Sequence, residues 1–157
     1  MKKIVILLAA ILLATVSSYA SNNNSKMSVG AEYNISTKGG CSGVGFQLEY
    51  ELFDHIRVAP EFIYSFANGS KGHFTNLNVN VEYVIDTNSG FDFYPMAGLA
   101  YVNSGKEEGN KNNFGFNAGC GVEFNLSNRF TLFGEETFQM VKNSTRFITA
   151  IGVKYAF

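Results

Sequence analysis

Apolar and polar residues alternate with a period of two along most of the chain after residue 26. This period is typical of β-strands with two chemically different faces, because successive strand side chains point to opposite sides. Clusters of Gly, Asn, Ser, Asp and Lys interrupt the alternation and mark turns. The pattern therefore predicts eight strands, over residues 27–36, 43–53, 56–67, 73–86, 91–103, 112–126, 129–141 and 144–157.

Sorting each run by parity separates two surfaces. One surface carries large apolar residues at most positions, among them Phe46, Leu48, Val79, Val122 and Phe138. The other surface carries polar and charged side chains interspersed with glycine, at Gly30, Gly45, Gly98, Gly119, Gly121 and Gly152. Such a chain can bury one surface only by curling the sheet or by packing it against another layer.

Alternation alone does not decide which surface points outward. A soluble barrel would place the apolar surface inside around a ligand, whereas a membrane barrel places it outside against lipid. The large apolar residues are too voluminous for the interior of eight strands, and the glycines of the other surface suit a crowded lumen. The alternation also continues to the last residue, Phe157. We therefore predict an all-β fold, an eight-stranded antiparallel up-and-down transmembrane β-barrel.

The first 20 residues have the three parts of a secretory signal peptide. Two lysines come first, residues 4–16 form an apolar stretch, and the segment closes on a cleavage-type sequence at Ala20. The apolar stretch is shorter than the roughly 20 residues that a membrane-spanning helix needs. We expect residues 1–20 to be removed on export and residues 21–157 to form the barrel domain.

Composition limits the classes of function. The chain is 46% hydrophobic and 16% charged, within the range of folded proteins, and it has 15 Phe and 8 Tyr with no Trp. The formal net charge of −1 leaves no basic surplus for holding a nucleic-acid backbone. We therefore expect no nucleic-acid partner.

The chain ends in the segment FITAIGVKYAF, in which Val153, Tyr155 and Phe157 occupy alternate, outward-facing positions. This segment, the predicted signal peptide and the eight predicted strands together resemble the small OmpA/OmpX-type outer-membrane β-barrels of Gram-negative bacteria. The resemblance implies an exported monomer in the outer membrane, in contact with its lipids and lipopolysaccharide. It also implies that Val153, Tyr155 and Phe157 form the assembly signal that the barrel assembly machinery recognises during biogenesis.

The connections predict the orientation of the barrel. Those after the first, third, fifth and seventh runs should be extracellular, and those after the second, fourth and sixth runs periplasmic. The longest outer connection is NSGKEEGNKN, which is short for a barrel that binds partners through its loops.

Charged residues of the polar surface should line the lumen as a network of eight carboxylates and three cations: Glu32, Glu49, Glu51, Glu61, Glu82, Asp92, Glu123 and Glu135, with Arg57, Arg146 and Lys154. They cannot all stay ionised in a dry core, so water, counter-ions or protonation must compensate. A tight turn around Asp54 predicts Glu51 opposite Arg57, and barrel closure predicts Lys154 near the level of Glu32.

Three functions are compatible with this barrel. We expect a non-enzymatic protein with a structural or cell-surface role and a lumen filled by side chains, because eight strands leave little more room than that. A narrow leak for water or cations is the alternative. A lipid A-modifying enzyme is less favoured, because His55 and His73 are the only histidines and neither stands in a recognisable catalytic motif. The histidines and cysteines have no metal-ligand spacing, so we expect no cofactor and no metal site.

Two local questions stay open. Glu135 and Glu136 are adjacent, so one of them must face lipid in a regular strand, unless a bulge at Gly134 intervenes or Glu136 lies near the outer rim. Cys41, in a glycine-rich segment, and Cys120, within a predicted strand, are poorly placed for a disulfide.

Overall fold

The computed structural model describes residues 27–37, 40–67, 73–105, 111–142 and 144–157. The predicted signal peptide lies outside the described residues, and so do the central parts of the four connections predicted to be extracellular. Among the described residues, no helix is long and apolar enough to cross a membrane.

Nine β elements follow one another along the described part of the chain. They are β1 (Met27–Ser36), β2 (Cys41–Phe53), β3 (Ile56–Ala67), β4 (His73–Tyr83), β5 (Ile85–Asp86), β6 (Phe91–Gly105), β7 (Lys111–Asn125), β8 (Phe130–Val141) and β9 (Ser144–Ala156). The two-residue β5 continues β4 past Val84, where one uninterrupted run was predicted. At Val84 the N–H donates to the carbonyl oxygen of His55, 2.7 Å away in the turn between β2 and β3.

All neighbouring strands pair antiparallel, in the order β4-β3-β2-β1-β9-β8-β7-β6-β5. Pairing of β4 with β6 closes the sheet, while β1 and β9 join the two ends of the chain. With β4 and β5 counted as one, the result is a closed barrel of eight strands, and the predicted fold class is confirmed. Closure leaves no sheet edge, which removes the unpaired backbone groups that an open sheet would expose.

The barrel wall has apolar side chains on its outer face and mainly polar side chains on its inner face, the reverse of a water-soluble protein. Phe46, Leu99 and Phe116 on the outside are 60%, 62% and 63% exposed. The inside holds most of the buried side chains, and a majority of these are polar or charged. The exposed apolar face can be stable only against hydrocarbon, so the fold itself requires a lipid environment.

Glycine on the inner face makes room for large side chains. Gly121 is the Cα partner of Tyr94, and a Cβ atom at Gly121 would overlap the Tyr94 ring. Gly152 stands in the same relation to Phe133, whose ring carbons would lie 2.5 Å from such an atom. The inward glycines therefore let a narrow lumen hold aromatic rings.

Both sequence-based explanations for Glu136 are wrong. The ladder runs without a shift through Gly134, and Glu136 lies in the middle of β8, paired with Cys120 and Thr149. The register shift of this barrel lies instead between Glu51 and the end of β2. Glu136 therefore faces outward, and its carboxylate accepts a hydrogen bond of 2.6 Å from the Thr149 hydroxyl.

The cysteines lie on opposite sides of the wall. Cys41 is the first residue of β2 rather than part of a loop, and it is buried on the inner face. Cys120 is exposed on the outer face of β7. A disulfide between them would have to pass through the sheet.

We predict that Val79→Arg lowers the unfolding free energy in lipid vesicles by about 2–4 kcal/mol, because the new charge would enter hydrocarbon. Val79 is half exposed in the middle of β4. Val79→Ala controls for lost packing and should cost less. We expect Leu48→Arg and Val122→Arg to behave alike. Equal losses in the arginine and alanine variants of Val79 would contradict a lipid-facing position.

Candidate functional site

The lumen is the part of the barrel in which chemistry-bearing side chains meet. Its two ends differ: the turns at 54–55, 87–90 and 126–129 share one end with both termini of the described barrel, which we call the turn end. The opposite end, where β1 ends and β2 begins, is the loop end. Between them the polar side chains form three layers.

The layer nearest the turn end is the charge cluster, comprising Glu49, Arg57, Glu82, Glu123 and Lys154. Arg57 donates to both carboxylate oxygens of Glu123 across the lumen, at 2.7 and 3.2 Å. Its Nη2 atom is 2.8 Å from Glu82 on the adjacent strand, and its Nη1 atom is 3.5 Å from Glu49. The guanidinium group therefore connects β3 to carboxylates on three other strands, β2, β4 and β7, through ion pairs and charge-assisted hydrogen bonds.

Lys154 is the second cation of the charge cluster and is almost fully buried. Its Nζ atom forms ion pairs with Glu49 and, at 2.7 Å, with Glu123. Glu123 thus binds both cations. The cluster contains three carboxylates and two cations, linked so closely that removal of one charge would leave others buried without compensation.

Tyr94 lies beneath the charge cluster and is absent from the lumen network predicted from the sequence, which includes only charged residues. It is fully buried. Its ring lies 5.0 Å from the Arg57 guanidinium carbon and 4.8 Å from Lys154 Nζ, within cation–π range. Its hydroxyl donates a 2.6 Å hydrogen bond to Glu135. Tyr94 stands between Phe93 and Pro95, at one of the alternate positions of β6 that point into the lumen. This position could have predicted that its side chain lies inside the barrel.

The middle layer is the carboxyl triad of Glu32, Glu61 and Glu135. All three are buried, and one oxygen from each lies within 4.8 Å of the other two. Asn34 Nδ2 donates to Glu32 at 3.2 Å, and Asn78 Nδ2 donates to Glu61 at 2.8 Å. Glu135 accepts a hydrogen bond from the Tyr94 hydroxyl, so each carboxyl group of the triad accepts from a neutral donor.

The third layer, the amide layer, lies toward the loop end. Arg146 donates to Gln139 Oε1 at 2.9 Å and to Asn76 Oδ1 at 2.7 Å. Gln139 in turn donates to the Oδ1 atoms of Asn78 and Asn117, at 3.3 and 3.1 Å. These bonds span the lumen between β9, β8, β4 and β7 and join the amide layer to the triad through Asn78.

The described lumen differs toward its two ends. Toward the loop end, Ala100, Val102 and Val141 form a buried apolar cluster. The turn end opens into a cavity of about 140 Å³ that reaches the charge cluster and whose lining includes Glu51 and Thr131. The mouth at the turn end is therefore polar.

The structure corrects one predicted ion pair. Glu51 is the Cα partner of Arg57 as expected, yet the guanidinium turns to Glu82 and Glu123 while Glu51 lines the mouth. Lys154 lies two residues beyond the β9 partner of Glu32, near the level that was expected. Its long side chain reaches carboxylates on other strands across the lumen.

Two further members of the predicted network lie apart from the charge cluster. Arg146 contacts neutral amides in the amide layer rather than carboxylates. Asp92 lies near the turn end, where its carboxylate accepts a 3.0 Å hydrogen bond from Asn125 in an exposed position. Of the eleven residues predicted for the network, five meet in one cluster, namely Glu49, Arg57, Glu82, Glu123 and Lys154.

The residues of the expected assembly signal lie on the outer face of β9. The Tyr155 ring packs edge-on against Phe130 and Phe157, with centroids 5.2 and 5.3 Å apart. The Phe157 N–H donates to the Met27 carbonyl oxygen at 3.1 Å. Val153 is 42% exposed on the same face. These residues thus form an apolar surface at the seam between the first and last strands.

The histidines lie outside the lumen network. His55 occupies the turn after β2 with a φ of 70°. His73, at the loop end of β4, is exposed and stacks on the Tyr64 ring at 5.8 Å. Within the described part of the chain, neither histidine has a hydrogen-bonded carboxylate or hydroxyl partner.

An apolar outer wall around a filled, polar lumen defines a membrane β-barrel of the eight-stranded class. The chain matches the model of the outer membrane protein beta-barrel domain over residues 6–157 and belongs to that family. The protein is thus an outer-membrane barrel, as the resemblance implied. No curated protein matches it significantly.

Solved structures share this fold at low sequence identity. The N-terminal β-barrel domain of Pseudomonas aeruginosa OprF is 20% identical, with a TM-score of 0.66 over 83% of this chain and 97% of that one. Neisserial surface protein A is 15% identical, with a TM-score of 0.66 over 83% and 96%. Ail, the attachment invasion locus protein of Yersinia pestis, is 16% identical, with a TM-score of 0.61 over 83% and 96%.

We predict that Lys154→Met, which keeps a long apolar stem but removes the charge, lowers the unfolding free energy in detergent by about 3–5 kcal/mol. The control is Lys142→Met on the exposed surface, which should change it by less than about 0.5 kcal/mol. Adding Glu123→Gln to Lys154→Met should recover part of the loss. Similar urea midpoints for the two single variants would show that the charge cluster contributes little to stability.

Proposed function

We propose that this protein is a non-enzymatic barrel with a structural or cell-surface role, whose lumen does not conduct. The observation that carries the proposal is the continuous packing of the lumen. Lys154 of the charge cluster donates to the Tyr94 hydroxyl, which donates to Glu135 of the carboxyl triad. Asn78 links the triad to Gln139 of the amide layer. An ion or a file of water molecules would have to break several of these contacts to pass.

The contacts of the buried side chains also favour a lumen that stays filled rather than one that opens and closes. Arg57 and Lys154 each contact carboxylates on more than one strand, so movement of either cation would uncouple several charges together. In the amide layer, Arg146 and Gln139 connect opposite walls in the same way. The energetic cost of opening is therefore shared among many groups, which favours a plug over a gated pore.

Planar-bilayer recording tests the closed lumen. We predict no steady conductance for the wild-type barrel and a measurable one for the triple variant Arg57→Ala, Tyr94→Ala, Arg146→Ala, which removes the largest bridging side chains from two layers. The control, Lys142→Ala, should stay silent. Steady cation-selective conductance of the wild-type protein would contradict the proposal and favour the narrow water or cation-leak pore.

The partners proposed for this barrel follow from its surface and its family. The apolar outer face fits outer-membrane lipid, and its loop end, if extracellular, adjoins lipopolysaccharide. The aromatic surface around Tyr155 and Phe157 fits recognition by the barrel assembly machinery during biogenesis. We propose that the folded protein is a monomer and that residues 1–20 direct export in a Gram-negative cell.

Absence of lipid A chemistry is a separate prediction. We expect mass spectra of lipid A to be identical in cells with and without the protein, because His73 stacks on an aromatic ring and has no acid or base partner within the described residues. A change in acyl number that His73→Ala abolishes would overturn the non-enzymatic assignment, whereas one that persists in His73→Ala would point to an indirect effect on envelope enzymes.

A further inference from the structure

Charge in the lumen is unevenly compensated. The buried cations of the charge cluster form ion pairs with Glu49, Glu82 and Glu123. In the described part of the chain, no lysine, arginine or histidine nitrogen lies within 4.0 Å of the carboxyl triad. Three neighbouring carboxyl groups are thus buried beside one another without a direct ion pair, and Lys154 is linked to Glu135 through the Tyr94 hydroxyl.

The triad has the dimensions of an ion-binding site. Three oxygen atoms no more than 4.8 Å from one another all lie within about 2.8 Å of a common point. Calcium takes oxygen ligands at about 2.3–2.6 Å in a flexible geometry, so a small adjustment of three glutamate side chains brings them to bonding distance. Magnesium demands about 2.0–2.1 Å and a near-ideal octahedron, which this looser arrangement fits less well.

A second observation points to a missing positive partner. Glu32 is 6% exposed, and its Oε2 atom is buried with no hydrogen-bond partner. Its other oxygen accepts from Asn34. A buried carboxylate oxygen without a donor is costly, so it calls for a cation or a proton in the lumen.

The sequence makes room for this carboxyl group. Gly45 is the Cα partner of Glu32, and a Cβ atom there would lie 2.8 Å from Glu32 Cγ. Glycine at this position therefore lets Glu32 extend along the wall into the lumen, where it meets Glu61 from β3 and Glu135 from β8.

We propose that Glu32, Glu61 and Glu135 bind a divalent cation, Ca²⁺, in the middle of the barrel. The ion supplies a positive charge in direct contact with the three carboxylates, which Arg57 and Lys154 do not, and it ties together β1, β3 and β8. Arg57 and Lys154 stand between the triad and the turn-end mouth, and they repel an entering cation. Binding is therefore coupled to folding, and the ion exchanges slowly once the barrel is closed.

Refolding in detergent without lipopolysaccharide tests the site. The barrel is folded with CaCl₂ or with a chelator, and its urea midpoint is measured in each case. We expect Ca²⁺ to raise the midpoint, increasingly with free ion concentration, because a ligand that binds only the folded state stabilises it. MgCl₂ should have a smaller effect.

Glutamine variants locate the effect. Glu61→Gln and Glu32→Gln keep the side-chain shape and remove a charge, so they should lose the Ca²⁺-dependent shift, and their stability in chelator should equal or exceed that of the wild type. The matched control is Glu136→Gln on the lipid face, which should retain the shift. Equal wild-type midpoints in Ca²⁺ and chelator, or a shift that survives in Glu61→Gln, would overturn the proposal.

Terbium luminescence gives an independent readout. The chain has no Trp, so sensitised emission of a bound Tb³⁺ ion must come from tyrosine. Tyr94 is hydrogen-bonded to Glu135 and is the tyrosine buried in the lumen. Emission should appear when the barrel is refolded with Tb³⁺, compete with Ca²⁺ and fall sharply in Tyr94→Phe. Emission that is unchanged in Tyr94→Phe would place the ion elsewhere and contradict the site.

Discussion

The narrow interior of an eight-stranded barrel governs most of this structure. Lipid outside the wall favours apolar side chains there, so most polar side chains of the strands must fit inside a lumen only wide enough for side chains. Large groups such as Tyr94 and Phe133 are accommodated because glycines stand opposite them. The remaining polar groups can be buried only by bonding to one another, and three connected layers result.

The charge cluster and the carboxyl triad differ in whether their carboxylates form direct ion pairs with buried cations. The two cations nearest the turn end are already shared among three carboxylates, and they form no direct ion pair with the carboxyl triad. Arg146 lies farther along the barrel and bonds to amides. The network proposed to obstruct passage through the lumen therefore also gathers carboxyl groups at its centre. The proposed closure of the lumen and the proposed cation site are two consequences of the same packing.

The comparisons indicate what members of this fold must share. OprF, Neisserial surface protein A and Ail have the same architecture at 15–20% identity. An alternating wall and a closed antiparallel ladder can be built from many residues, since the fold requires a pattern of polarity and size rather than particular side chains. Specific properties of this barrel must therefore come from its own lumen and loops.

Much of the fold could be predicted from alternation, because side-chain direction in a strand depends only on parity. This determined the number of strands, their antiparallel order and the inward position of residues such as Glu49, Glu82 and Lys154. Partners inside the lumen could not be predicted, because long side chains of tilted strands reach across the barrel. Glu123 meets Arg57 three strands away, and the carboxyl triad gathers residues from β1, β3 and β8, so no local spacing marks it. Only closure of the sheet brings these groups together.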